Sequence, residues 1–246
     1  MVLNVIYNED CIGENGMKRL PDNSVDLILT DPPYNIAFKA QRKEVNNKAR
    51  DGILNDNMSN KEFKEWLSLI CKELDRVLKD NSYIFMFCGW STICQFQPVL
   101  EKYWRVKALN IWEKNNFGIG YYIRPQYEPF FMCLKGKPPK PEKAHSDIWK
   151  YEKVYQPEHT CQKPVTLLSD IISIYGNTEQ IIITVLDPFM GSGSTAVASL
   201  KLRNNFIGFE IDEEYYNMAL KRIGKFDKKY YEQLPKEEQP RQQQLI

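Results

Sequence analysis

Histidine is nearly missing from this chain: only His145 and His159 occur in 246 residues, too few for a histidine-rich metal centre, and no metal is expected. The six cysteines, at 11, 71, 88, 94, 133 and 161, form no CxxC pair. Several lie inside apolar runs, which suits small buried hydrophobes better than a disulfide framework. An excess of one charge is also lacking. Lysine and arginine total 33 against 32 acidic residues, a formal net charge of +1, so any surface for a polyanion must be local. No window is apolar over a membrane-spanning length, and the start carries no charged leader followed by an apolar stretch. A reducing cytoplasm, with no membrane partner, is therefore the expected compartment.

What is present argues for a substantial core. Hydrophobic residues make up 43% of the chain, with five Trp, fourteen Tyr and twelve Phe, enough apolar surface to drive collapse. A single domain over residues 1–230 with local elaborations is the simplest organisation, followed by a polar, flexible tail at 231–246. Two short basic runs stand out. Lys39 to Arg50 carries five basic residues against Glu44, and Lys135 to Lys143 carries four lysines against Glu142. A solvated loop and a phosphate-contacting loop explain either run equally well.

Hydrophobic spacing predicts alternating strands and helices. Strands are expected at Val2 to Tyr7, Leu27 to Thr30, Tyr83 to Cys88, Val106 to Trp112, Tyr127 to Leu134, Ile181 to Leu186 and Phe206 to Phe209. Helices are expected at Lys61 to Leu78, capped by Ser59 or Asn60, and at Ile93 to Trp104, where Pro98 is a weak point. Further helices should span Val165 to Tyr175, ended by Gly176, then about Ser194 to Leu202 and about Glu213 to Ile223. Residues 35–60 read as a long loop, and 135–143 as a Lys/Pro-rich loop. Alternation of this kind implies an α/β protein with a mostly parallel central sheet.

The richest segment is Val185-Leu186-Asp187-Pro188-Phe189-Met190-Gly191-Ser192-Gly193-Ser194-Thr195-Ala196. A buried strand, a glycine turn and a helix start follow one another there, and glycine allows both positive φ and close approach of backbone to a ligand. Glu210 lies nineteen residues beyond Gly191 at the end of the next strand, where a carboxylate can accept both hydroxyl hydrogens of a ribose. An ordinary glycine-bearing turn is the competing reading. Too little chain follows Gly193 to complete a doubly wound sheet, so the remaining strands must come from earlier residues, and a dehydrogenase order fits poorly.

A second turn, Asp31-Pro32-Pro33-Tyr34, stops the strand before it, because two prolines remove two ladder donors. Carboxyl ends of parallel strands are where such sheets bind ligands. Asp31 with the Pro32 carbonyl could hydrogen-bond an exocyclic base amine, favouring pyramidal nitrogen with its lone pair directed outward, while Tyr34 offers a stacking face to a base taken out of its helix.

Together these segments resemble the β-class DNA amino-methyltransferases, in which a DPPY motif precedes the FxGxG motif. The resemblance spans about residues 2–224 and rests on YNEDC at 7–11, LPDNSVDLILTDPPYN at 20–35, IWEK at 111–114, HTCQKP at 159–164 and LDPFMGSGSTAVASLKLRNNFIGFEID from Leu186. It implies a permuted Rossmann-like methyltransferase fold and a site-specific DNA adenine N6-methyltransferase that uses S-adenosylmethionine. By the same resemblance Asp31, Pro32 and Tyr34 are catalytic. Asp10, Lys163, Asp187, Phe189, Gly191, Gly193 and Glu210 contact the cofactor, although Thr160 and Cys161 depart from the family's usual HPTQKP wording. Phe130 and Phe131 fall on the base-pocket strand and are equally well read as core.

Segment 136–158 falls where the family places a target-recognition insertion, yet it is short. Specificity then rests partly on loop 36–58, whose Arg42, Lys43, Lys48 and Arg50 are the candidates for contact with the DNA backbone. Double-stranded DNA, a second copy of the chain and a cognate restriction endonuclease are the implied partners. Cytosine N4 is the alternative target, since it needs the same amine geometry, but Asp rather than Ser at position 31 favours adenine in family terms. Cytosine C5 chemistry lacks a Pro-Cys turn, and a non-catalytic nucleic-acid-binding module would not need Asp31, Tyr34, Gly191, Gly193 and Glu210 together.

Overall fold

A computed structural model describes residues 1–37, 54–118, 121–153, 162–176 and 182–226. Among these lie eight strands: β1 (Val5–Tyr7), β2 (Val25–Thr30), β3 (Leu78–Phe87), β4 (Arg105–Glu113), β5 (Tyr127–Lys135), β6 (Ile148–Lys150), β7 (Thr184–Asp187) and β8 (Asn205–Phe209). Five α-helices accompany them: α1 (Asn60–Val77), α2 (Ile93–Leu100), α3 (Val165–Tyr175), α4 (Ser194–Lys201) and α5 (Glu213–Phe226). The strands form one sheet in the order β1-β8-β7-β2-β3-β5-β4-β6. Only β5 runs against its neighbours, pairing antiparallel with β3 and β4, so the sheet is largely parallel and has the permuted order the sequence implied.

Alternate residues of the central strands cover opposite faces, which is why these strands read as continuous apolar runs. Val25 and Ile28 of β2, with Ile84 and Met86 of β3, pack under α1 and α2 against Phe63, Leu67, Ile70, Leu74 and Phe96. Leu27, Leu29, Phe85 and Phe87 face the other way, onto Leu167, Leu168, Ile171 and Ile172 of α3. A third cluster seats α4 and α5 on β1 and β8 through Ile6, Val197, Phe206, Ala219 and Ile223. Helix α1 opens with a capping box: Glu62 N donates to Ser59 Oγ at 3.3 Å, and Ser59 N donates to Glu62 Oε2 at 3.0 Å.

Several boundaries differ from the sequence expectation. Strand β1 begins at Val5 rather than Val2, and β7 at Thr184 rather than Ile181. Strand β3 starts at Leu78, directly off α1, instead of at Tyr83. Helix α2 stops at Leu100, and Trp104 turns back to donate its indole N–H to Asp75 Oδ1 at 2.9 Å. Part of segment 136–158 is structural: β6 adds a parallel edge strand beside β4, burying Trp149, whose indole donates to Asn110 Oδ1 at 3.1 Å. Cys11, Cys71, Cys88 and Cys133 are buried free thiols, as expected, whereas Cys94 is exposed. Among the described residues no helix is long and apolar enough to cross a membrane.

Candidate active site

Parallel pairing brings the carboxyl ends of five strands to one rim. Register places Tyr7 beside Phe209, Asp187 beside Gly208, Ile28 beside Leu186 and Thr30 beside Met86. Asp10 follows the end of β1, Glu210 that of β8, the glycine turn that of β7, Asp31 that of β2, and Gly89-Trp90 that of β3. The reversed strand β5 enters this rim at its beginning, which carries Glu128.

Asp31 sits at the centre of a polar cluster. Tyr34 donates its hydroxyl to Asp31 Oδ1 at 2.5 Å, and the Lys163 ammonium donates to Asp31 Oδ2. Lys163 also donates to the Tyr34 hydroxyl at 3.2 Å and pairs with Glu128 Oε2 at 3.1 Å. The other Glu128 oxygen accepts from Lys114. Burial raises the Asp31 carboxyl above its ordinary value, and Lys163 pulls it part of the way back. Burial also opposes ionisation of Glu128, but Lys163 and Lys114 outweigh it and hold that carboxyl down to about 2. Tyr34 is pushed well above the usual phenol range, first by burial and then by the charge of Asp31, so its proton stays on oxygen as a donor.

The second half of the rim is the glycine turn. Asp187 is buried and accepts from Thr30 Oγ1 at 2.8 Å, Thr195 Oγ1 at 2.6 Å and the Phe189 N–H at 3.1 Å. Thr30 precedes Asp31, so this network couples the two turns. Burial nevertheless pushes the Asp187 carboxyl up to about 7. Gly191 and Gly193 have φ of +53° and +81°. A side chain on Gly193 would strike Ala219 of α5 at 3.1 Å, whereas one on Gly191 would point into open space. Glu210 accepts the Gly191 N–H at 2.7 Å and the Asp212 N–H at 2.9 Å, so its carboxylate stands beside the open side of the turn. Asn8 donates to the Glu210 carbonyl at 2.8 Å, which ties the loop bearing Asp10 to the same corner. The backbone of this turn is thus left uncovered at Gly191 beside the Glu210 carboxylate, an arrangement of donors and acceptors that could hold a nucleoside.

Of the residues expected at the site, Asp31, Pro32, Tyr34, Asp10, Asp187, Phe189, Gly191, Gly193 and Glu210 all lie along this rim. Phe189 packs its ring on Trp66 at 5.7 Å. Lys163, expected among the cofactor contacts, directs its ammonium at Asp31 and Glu128. Phe130 and Phe131 are fully buried in β5 and belong to the core. Arg42, Lys43, Lys48 and Arg50 fall outside the described residues, as do His159, Thr160, Cys161 and the tail 231–246.

Three contributors were missed. Glu128 and Lys114 belong to the Asp31 cluster, and Arg222 of α5 braces the glycine turn by donating to Ser194 Oγ at 2.9 Å and to the Ser192 carbonyl at 3.3 Å. The IWEK motif already contained Lys114, but nothing local paired it with Glu128. Asn35 was quoted in its motif without a role. Its side chain accepts the Met58 N–H at 2.7 Å and donates to the Met58 carbonyl at 3.1 Å, tying residues 35 and 58 together beside the Asp31 turn.

Comparison with known proteins agrees with this geometry. The chain is 31% identical to the methylase YubD of Escherichia coli (strain K12), over 87% of each protein. It is 28% identical to the DNA adenine methyltransferase YhdJ of the same organism, over 89% of this chain and 82% of that one. The crystal structure of the M1.HpyAVI-SAM complex superposes with a TM-score of 0.63 at 28% identity, covering 89% of this chain and 98% of the other. The cytosine-N4-specific PvuII DNA methyltransferase superposes with a TM-score of 0.68 at 16% identity, over 92% and 90% of the two chains, which is likeness of fold alone. Residues 25–221 match the DNA methylase family of N6 and N4 methyltransferases, and with both of its motif turns on one rim the chain belongs to that family.

Proposed function

We propose that this protein is a site-specific DNA adenine N6-methyltransferase that uses S-adenosylmethionine. The observation that carries the reading is the half-buried Asp31 carboxylate, oriented by the Tyr34 hydroxyl and linked through Thr30 and Asp187 to the glycine turn. Glu210 and Asp10 would hold the cofactor's nucleoside, and Asp187 with the Gly191 and Gly193 backbone its amino-acid end. When bound, the cofactor supplies an electrophilic methyl group on a sulfonium that leaves as a neutral thioether.

The chain's own contribution is positioning and electrostatics. A base amine is a poor nucleophile, because its lone pair is delocalised into the ring. Accepting its N–H at Asp31 and at the Pro32 carbonyl favours pyramidal nitrogen and releases that lone pair. As nitrogen becomes positive, the Asp31 charge stabilises it and can receive the proton it sheds. Tyr34 stacks on the extruded base and recovers roughly 1 to 3 kcal/mol of lost stacking. The preference for adenine over cytosine N4 rests on aspartate at position 31.

We further propose that double-stranded DNA is held in part by Arg42, Lys43, Lys48 and Arg50, that 136–147 contributes to target recognition, and that the working form is a homodimer serving a restriction-modification system. Plasmid DNA recovered from a methylation-deficient host expressing the protein should carry modified adenine at one recurrent sequence when its bases are sequenced directly. Modified cytosine alone would overturn the adenine assignment.

A further inference from the structure

Among the described residues Lys163 has two carboxylate partners. Its ammonium lies on Asp31 Oδ2 and 3.1 Å from Glu128 Oε2. Its side chain is only 8% exposed, so water offers little compensation for a lost partner. Separating a buried ammonium from its sole carboxylate is strongly unfavourable. With Glu128 in reach, that cost falls away. Glu128 is in turn anchored by Lys114, whose backbone is fixed at the mouth of the β4–β5 hairpin: Lys114 N donates to the Gln126 carbonyl at 2.8 Å, and Gln126 Nε2 donates to the Lys114 carbonyl at 2.9 Å. Two lysines and two carboxylates thus form a neutral set, in which one lysine is held and the other is shared.

The methyl-transfer reading adds a competitor for Asp31. Tyr34 takes one acceptor site on Oδ1 and Lys163 one on Oδ2, so an incoming base amine meets a carboxylate whose charge is already neutralised by an ammonium and whose oxygens are each half engaged. We propose that Glu128 is a positioning residue for methyl transfer: it takes the Lys163 ammonium off Asp31 when the target amine arrives, with Lys114 holding Glu128 ready for the exchange. The inference rests on the function proposed above. It makes Lys163 a gatekeeper of the catalytic carboxylate.

The charges facing Asp31 decide how the exchange is read out. They are Lys163 before α3, Glu128 of β5, Tyr34 of its own turn and Cys88 at the end of β3, with Lys114 behind Glu128 and Asp187 across Thr30. Burial pushes the Cys88 thiol up and keeps it neutral. Removing Lys163 takes away the cation that Asp31 and Glu128 share and leaves Asp31 facing the Glu128 carboxylate, so its proton is held more tightly. Removing the charge of Glu128 does the reverse.

The test is single-turnover methylation of DNA across pH by the full chain, with cofactor affinity and melting temperature measured for each variant. Glu128→Gln should slow transfer roughly 10- to 100-fold at neutral pH, with cofactor affinity retained, and move the acid limb of the rate profile to lower pH. Lys163→Met should move that limb to higher pH. Because Lys163 stays on Asp31 once Glu128 is neutral, the double variant should be faster at alkaline pH than Glu128→Gln alone, and Glu128→Asp should restore part of the rate. Wild-type rate and pH profile in Glu128→Gln, or a double variant no faster than it, would overturn the inference while leaving the proposed function standing. A wild-type chain that binds cofactor and DNA but methylates neither base would overturn both.

Discussion

Replacing Asp31 with alanine is expected to abolish DNA methylation, lowering turnover at least about a thousandfold, equivalent to ~4 kcal/mol of transition-state stabilisation. Asp31 is the acceptor around which Tyr34 and Lys163 converge, whereas the turn assigned to the cofactor is built from other residues. Cofactor affinity should therefore survive. An interaction made chiefly as positive charge develops on nitrogen lowers turnover rather than ground-state binding. Tyr34→Ala should leave more activity, a loss of roughly 10- to 100-fold, since stacking is worth about 1 to 3 kcal/mol and is less directional than the amine hydrogen bond. Single-turnover rates with separate cofactor titrations check both. Near-normal turnover in the Asp31→Ala protein would contradict the mechanism.

A comparably large effect on the other half of the site is expected from Gly191→Ala. Its φ of +53° costs an L-residue about 1–2 kcal/mol, a modest loss of stability. The added methyl meets no atom nearer than 4.0 Å beyond its chain neighbours and stands on the uncovered side of the turn beside Glu210. Cofactor affinity should fall at least about tenfold through blocked backbone approach. Gly193→Ala should behave differently, because its methyl would lie 3.1 Å from Ala219 and α5 would have to give by a few tenths of an ångström, at a φ of +81° that already strains an L-residue. Melting temperature should drop further there than in Gly191→Ala. Calorimetric titration and thermal denaturation of the two variants separate the effects, and equal cofactor binding by Gly191→Ala and wild type would show that the turn is not a ligand cradle.

The two motif turns were legible because their chemistry is local. Paired prolines end β2, and glycines after an apolar run announce a backbone turn, whatever the rest of the chain does. Alternating apolar strands and amphipathic helices likewise announced the parallel sheet, since both faces of β2 and β3 must be covered. What sequence spacing did not show depends on register. Glu128 reaches Lys163 only because β5 runs antiparallel and starts at the rim, with Trp112 opposite Glu128 in the hairpin. Lys163 lies 132 residues from Asp31, so no periodicity relates them. The three residues of β6 carry too short a pattern to stand out from the Lys/Pro-rich stretch before them, and its one strong signal, Trp149, reads equally well as a surface aromatic. Arg222 looked like any charge on an amphipathic helix until α5 was seen to lean on the Ser192 to Ser194 turn.

The most direct test of the central claim is transfer of an isotopically labelled methyl group. Unmodified genomic DNA is incubated with the purified chain and S-adenosylmethionine bearing a deuterated methyl, then hydrolysed to nucleosides and analysed by mass spectrometry. Labelled N6-methyldeoxyadenosine is the predicted product. Label on cytosine alone, or no labelled nucleoside from protein shown to bind both cofactor and DNA, would contradict the account.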